Sequence, residues 1–188
     1  VNKTIVCIDD LERAGKNLNL RDVLGLVSLL KEQKQCKIVI LLNDGEADLE
    51  DYFKYREKVV DFELIFSPTA HECASIAFEG GGTEMNILRE LTSKVNIKNI
   101  RILKKIERLV GIVLPLVDDL EDEIRAQILN SIVIFSWSHY CSHSDTNIPP
   151  IDFITSSGSN FYGIGNRNEK DEQRIAWRST LQEYGYSL

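Results

Sequence analysis

The sequence predicts an α/β fold in its first third, a partial parallel sheet, followed by an all-α segment. Three observations carry this expectation. Two short apolar runs, residues 5–8 and 36–42, are rich in β-branched residues, as in strands buried on both faces of a helix-covered parallel sheet. Between them, Leu20, Val23, Leu24, Val27 and Leu30 recur at helical spacing. From Thr83 to about Cys141 the pattern is helical throughout.

Taken in order, Ile5-Val6-Cys7-Ile8 is the first strand and ends abruptly in Asp9-Asp10. A polar loop follows over residues 12–17. Asn17 or Asn19 caps the first helix, and Asp22 suits its first turn. Residues 36–42 form the second strand, closed by the turn Asn43-Asp44-Gly45. Residues 47–58 read as a helix with acids at its start and bases at its end, matching the helix dipole. Residues 59–66 read as a third strand, with Val60, Phe62, Leu64 and Phe66 alternating against Asp61, Glu63 and Ile65. Ser67-Pro68-Thr69 marks a boundary, and Thr69 can cap a helix over residues 70–78. Gly80-Gly81-Gly82 is a loop or hinge. Further helices are expected over residues 86–94, 97–117 (broken by Pro115) and 121–139. Residues 151–168, rich in Gly, Ser and Asn, read as loop, and residues 169–188 as a last helix carrying Trp177. Three domains result: 1–67, 68–148 and an irregular tail over 149–188.

At 188 residues the chain is long enough to bury a substantial core. A net charge of -7 disfavours a broadly basic surface for nucleic acid. Cys7, Cys36, Cys73 and Cys141 are scattered, and Cys7 and Cys36 lie at or beside strand runs, where free cysteine behaves as a small hydrophobe. No disulfide framework is legible, which points to a reducing, cytoplasmic setting. No apolar run reaches the 18 or so residues that span a bilayer. The only methionine is Met85, so the expectation is that more sequence precedes Val1.

The chemistry-bearing feature is Asp9-Asp10. Open α/β sheets place ligands at the carboxyl ends of their strands. Two acids there can hold a hydrated Mg²⁺ and polarise a water for attack on a phosphate. The plainer alternative is a strand-to-helix turn whose Asp caps the next helix. His139, Cys141, His143 and Asp145 are metal-capable, but alternate spacing converges only in an extended segment, and this one follows a helical pattern. Trp137 and Trp177 read as core or interface anchors. The acidic run 118–123 reads as the solvated start of a helix.

The strings IVCIDDLER, with the leucine-rich helix after it, and YREKVVDFELIFSPT carry a resemblance. Over roughly residues 1–110 the chain resembles the carboxyl-terminal half of the core of P-loop NTPases in the AAA+ and STAND group, KAP-type members above all, followed by their helical lid. The resemblance implies ATP and Mg²⁺ as cofactors. It implies that Asp9 organises the Mg²⁺ water shell as the first Walker B acid. Asp10 then orients or deprotonates the attacking water, with Glu12 as a weaker candidate. Asn43 matches the polar residue that senses the γ-phosphate; an amide there adds hydrogen bonds without charge, and a simple turn residue is the alternative. Arg56 matches an arginine reaching a neighbouring subunit's nucleotide, with Lys58 competing; a basic helix end is the alternative. Arg101 matches the lid arginine that touches the nucleotide, or else it snorkels to solvent.

The chain departs from that family in one large respect. It holds no Gly-x-x-x-x-Gly-Lys-Ser/Thr loop to wrap the β- and γ-phosphates, so the Walker A half is expected upstream of Val1, and the 188 residues alone are expected to be inactive. The implied partners are a nucleotide, that missing half and further copies in a homo-oligomer. The implied role couples ATP hydrolysis to rearrangement of the lid, as in bacterial anti-phage defence. The alternative function is a non-hydrolysing interaction module whose acids are structural and whose helices bind a protein.

Overall fold

The computed structural model describes residues 3–13, 18–43, 50–156 and 169–188. The chain divides into two compact units, Val1–Phe66 and Ser67–Leu188.

The first unit is a strand–helix–strand–helix unit. Strand β1 (Ile5–Ile8) leads through a 3-10 turn at Leu11–Arg13 to helix α1 (Leu20–Glu32), strand β2 (Lys37–Ile40) and helix α2 (Glu50–Val59). The strands pair in parallel with Ile5 opposite Lys37 and Ile8 opposite Ile40. A parallel pair needs a crossover of a dozen residues or more, and α1 supplies it. Asn19 caps α1, its side chain accepting from the Arg21 N–H. The small core centres on buried Leu11, Leu24 and Tyr52, flanked by Ile8, Leu20, Val23, Ile40, Leu42 and Val59, and Val27 and Cys36 are also buried in this unit.

Two strand expectations are corrected here. Residues 60–66 are irregular, and the described sheet has two strands. Alternation gave this segment the look of a strand, but a strand also needs a hydrogen-bonding neighbour. Instead its acids are drawn to bases of the helices: Lys31 Nζ meets Asp61 Oδ1 at 2.5 Å, and Arg56 Nη1 lies 3.3 Å from Glu63 Oε1. Phe62, Leu64, Ile65 and Phe66 stay 76–82% exposed. Nor are β1 and β2 buried on both faces. Each alternates exposed with half-buried residues, so Ile5, Cys7 and Val39 are exposed, and Cys7 does not serve as a core hydrophobe. The residues of the expected loop at 14–17, the turn residues Asp44 and Gly45 and the expected helix start at Ala47 lie outside the described residues.

The second unit is helical: α3 (Ala70–Ala77), α4 (Thr83–Lys94), α5 (Ile100–Val113), α6 (Asp122–Cys141), α7 (Ile151–Ser156) and α8 (Glu169–Glu183). Thr69 starts α3 with a capping box: the Glu72 N–H donates to Thr69 Oγ1 (3.2 Å) and the Thr69 N–H to Glu72 Oε2 (2.8 Å). Asn99 starts α5, its side chain accepting from the N–H groups of Arg101 and Ile102. A 3-10 turn at Leu114–Leu116, with Pro115 inside it, follows α5 directly. Phe78, Leu88, Leu103, Ile106, Val133, Ile134 and Leu181 are fully buried at the centre. Trp137 is buried there, and Trp177 donates its Nε1–H to the Thr146 carbonyl. The loop expected over residues 151–168 is corrected in part: Pro149-Pro150 precedes a short helix, α7, whose Phe153 and Ile154 are buried, while 157–168 lie outside the described residues. No described helix is long and apolar enough to cross a membrane.

Candidate functional site

The register of the two strands defines the candidate site. Because Ile8 stands opposite Ile40, the residues that follow, Asp9-Asp10 and Leu41-Leu42-Asn43, leave the same carboxyl edge of the parallel pair. The ladder continues one step past the strands, with the Leu41 N–H donating to the Ile8 carbonyl at 2.8 Å. The sheet therefore brings Asp9, Asp10 and Asn43 to one end of the first unit.

Asp10 sits there in the left-handed region, φ 53°. Aspartate tolerates that conformation better than most residues, at some cost in strain. The turn repays this locally. The Asp10 N–H donates to Asp9 Oδ1 (2.9 Å), and the Asp10 carbonyl accepts from the Arg13 N–H (2.9 Å). Arg13 Nη1 also lies 3.5 Å from Asp10 Oδ2, with both side chains solvent-exposed. An exposed pair of this kind is worth little in stability. Its effect is positional: it ties the Asp10 carboxylate to Arg13 of the same turn. Leu11, inside the same 3-10 turn, is buried and anchors the turn to the core.

Glu12 adds a detail that spacing alone did not give. Its Oε2 is enclosed and meets no hydrogen-bond partner among the described residues. A buried carboxylate oxygen without a donor is costly, so this atom calls for a cation or donor. Among the described residues no three His, Cys, Asp or Glu side chains converge as a metal cage. Mg²⁺ on a nucleotide needs no such cage. It takes one or two carboxylates and completes its octahedron with phosphate oxygens and waters. Asp9 and Asp10 fit that requirement in donor type and number.

Arg56 is in the same unit but is engaged elsewhere. Its Nη1 lies 3.3 Å from both Glu63 carboxylate oxygens, and its guanidinium stands 5.2 Å above the Phe53 ring. Arg101 belongs to the second unit. It lies in the first turn of α5, exposed, and shares a face with Lys105, Arg108 and Ile112. His139 and Cys141 are two residues apart on helix α6, which turns them to opposite sides, and the Asp145 carboxylate accepts from the Asn147 N–H. Burial pushes the Cys141 thiol pKa up, which disfavours a thiolate ligand.

No protein-family model matches the chain, and neither does any curated protein or solved structure.

Proposed function

We propose that the carboxyl edge of the β1–β2 pair is the Mg²⁺-nucleotide end of an ATPase, with Asp9 ordering the metal's water shell and Asp10 acting on the attacking water. The observation that carries this reading is the shared edge: two acids leaving one parallel strand and an amide, Asn43, leaving its neighbour. When bound, Mg²⁺ supplies charge neutralisation on the phosphate oxygens. The chain's own part is to place carboxylates beside it and, through Asn43, to bond a phosphate oxygen or water without added charge. The phosphate cradle has no counterpart in the 188 residues and is supplied by other sequence.

Two measurements test this. For the 188-residue chain, Mg²⁺-ATP produces no turnover and no rise in Tm, since a ligand that does not bind the folded state does not stabilise it. In the parent polypeptide carrying the cradle, Mg²⁺-dependent hydrolysis falls by at least about 100-fold in Asp10→Asn, the scale of a lost general base. A parent protein without ATPase, or one whose rate survives Asp10→Asn, overturns the assignment.

A specific observation favours a second reading, a non-hydrolysing interaction module. Asp9 and Asp10 both bond within their own turn, and Phe62, Leu64, Ile65 and Phe66 of the irregular segment 60–66 are exposed. In that case Asp9→Asn and Asp10→Asn together leave the parent protein's biological activity intact, while Leu64→Asp removes it.

A further inference from the structure

The 3-10 turn after β1 carries a cation of its own at the acidic edge. Arg13 makes two contacts there, and both go to Asp10. Its backbone N–H donates to the Asp10 carbonyl at 2.9 Å, and its Nη1 lies 3.5 Å from Asp10 Oδ2. The two contacts differ in kind. The first closes the turn. The second joins side chains that are 65% and 53% exposed. It is longer than the about 2.7–3.2 Å of a formed N–H···O bond. Such a pair is an attraction of charges in open water, weak and readily exchanged. Arginine presents a planar fork of donors, and no described acceptor holds this fork at bonding distance. The backbone around Asp10 is fixed by contrast. Asp9 Oδ1 accepts the Asp10 N–H at 2.9 Å, and buried Leu11 anchors the turn. The acid is therefore carried on a held backbone, while the cation over its carboxylate is free to move.

A carboxylate that takes a proton from a water cannot also stand as the acceptor of a guanidinium. Phosphate oxygens are the stronger partner for the fork, because they accept two parallel charged bonds at once. We propose that Arg13 is an exchangeable counter-ion: it rests on Asp10 in the empty site and passes to the terminal phosphate of a bound nucleotide, which frees the Asp10 carboxylate for the water. Only ion pairs are exchanged, and no covalent bond forms or breaks. Both side chains are exposed, so the guanidinium leaves Asp10 with little change in its hydration. Arg56 does not compete for this role, since Glu63 engages its Nη1. The proposal rests on the Mg²⁺-nucleotide reading of this edge. It adds to that reading the cation by which the site distinguishes a triphosphate from a diphosphate.

Equilibrium binding to the parent polypeptide that carries the cradle tests it, by calorimetry with Mg²⁺-ADP and with the Mg²⁺ complex of a non-hydrolysable ATP analogue. Arg13→Ala keeps the backbone N–H that closes the turn, and circular dichroism shows it folded, since the side chain is exposed. It is expected to raise the Kd of the analogue at least about tenfold, the scale of a lost charged hydrogen bond, and to change that of ADP by less than about threefold. Arg13→Lys keeps the charge without the fork and is expected to fall between Arg13→Ala and wild type. Asp10→Asn removes the competing carboxylate, so it tightens the analogue, and it does so less when Arg13→Ala is already present. Equal weakening of ADP and the analogue makes Arg13 a prop of the turn and overturns the inference. So does an Arg13→Ala that binds both as wild type does, or an Asp10→Asn gain of the same size in both backgrounds. These results leave the role of Asp10 standing where Asp10→Asn has lost hydrolysis. A parent protein that binds no Mg²⁺-nucleotide, or whose Asp10→Asn variant hydrolyses ATP at the wild-type rate, removes the underlying reading and the exchange with it.

Discussion

At the residue scale the clearest chemistry is the Thr69–Glu72 box. The Glu72 carboxyl is held below the ordinary carboxylate range, first by the Thr69 backbone N–H and then by the Thr69 hydroxyl. A folded-state pKa below the unfolded value contributes stability above the ordinary carboxylate pKa and loses it as pH falls through the depressed value. Glu72→Gln keeps a side chain that can accept from the cap but cannot titrate. Its Tm deficit against wild type is therefore expected to shrink between pH 6 and pH 3, followed by circular dichroism. A deficit that grows toward acid reverses the sign and sinks the assignment. Arg89 is a second local tie. It donates to the carbonyl of Phe78, to that of Gly80 at 2.7 Å and to Asn86 Oδ1 at 2.7 Å, so one guanidinium holds the chain between α3 and α4. Gly80 (φ 96°) takes the positive dihedral that this bend requires. Arg89→Ala strands those carbonyls and is expected to cost about 2 kcal/mol in urea unfolding, the scale of a bond to a charged donor. A loss under about 0.5 kcal/mol means that the bend holds without it.

At the element scale α5 offers an internal control, because Ile106 and Ile112 are the same residue type on one helix. Ile106 is fully buried, and Ile106→Ala is expected to cost about 2–5 kcal/mol through lost burial and a residual cavity. Ile112 is 65% exposed, and Ile112→Ala is expected to stay within about 0.5 kcal/mol. Equal losses in a denaturant titration refute the two-faced description of the helix. The same helix shows why some elements were legible in sequence. Leu103, Ile106 and Val110 write their spacing in three and four, and a period that long admits one secondary structure. Thr69 announced its helix by side-chain chemistry, and Asn19 was one of two caps the sequence offered. The segment 60–66 was misleading because alternation reports what a strand could bury, not whether a neighbour exists to pair with it; Asp61 and Glu63 instead found Lys31 and Arg56. Helix α7 was hidden for the converse reason. It is six residues long, short for a periodic signal, and is fixed by burial of Phe153 and Ile154. In the candidate site, Asp9, Asp10 and Asn43 were readable from their positions at strand ends. The Arg13 contact and the enclosed Glu12 Oε2 were not, since both arise from a single 3-10 turn that leaves no period in the sequence.

At the scale of the whole molecule the two units differ in what holds them. The second encloses a core reaching from Cys73 to Leu181, with Phe78, Leu88, Ile106 and Ile134 fully buried. Among the described residues the first buries only Leu11, Leu24, Val27, Cys36 and Tyr52, and its two-stranded sheet has strands that alternate exposed and half-buried residues. A two-stranded sheet is marginal in water unless further strands or helices cover it. Amides whose hydrogen bonds open without breaching a large core exchange with low opening free energy. Hydrogen exchange on the intact chain is therefore expected to show peptides spanning β1 and β2 at least about tenfold less protected than peptides spanning α5 and α6. Parity between them means that the first unit is stabilised by far more than its described contacts. If a partner strand or a nucleotide-binding half completes this unit, adding that partner raises β1 and β2 protection and leaves α5 and α6 unchanged. The outcome separates a sheet awaiting completion from one that is merely small. It does so through backbone amides alone, with no assumption about what Asp9 and Asp10 catalyse.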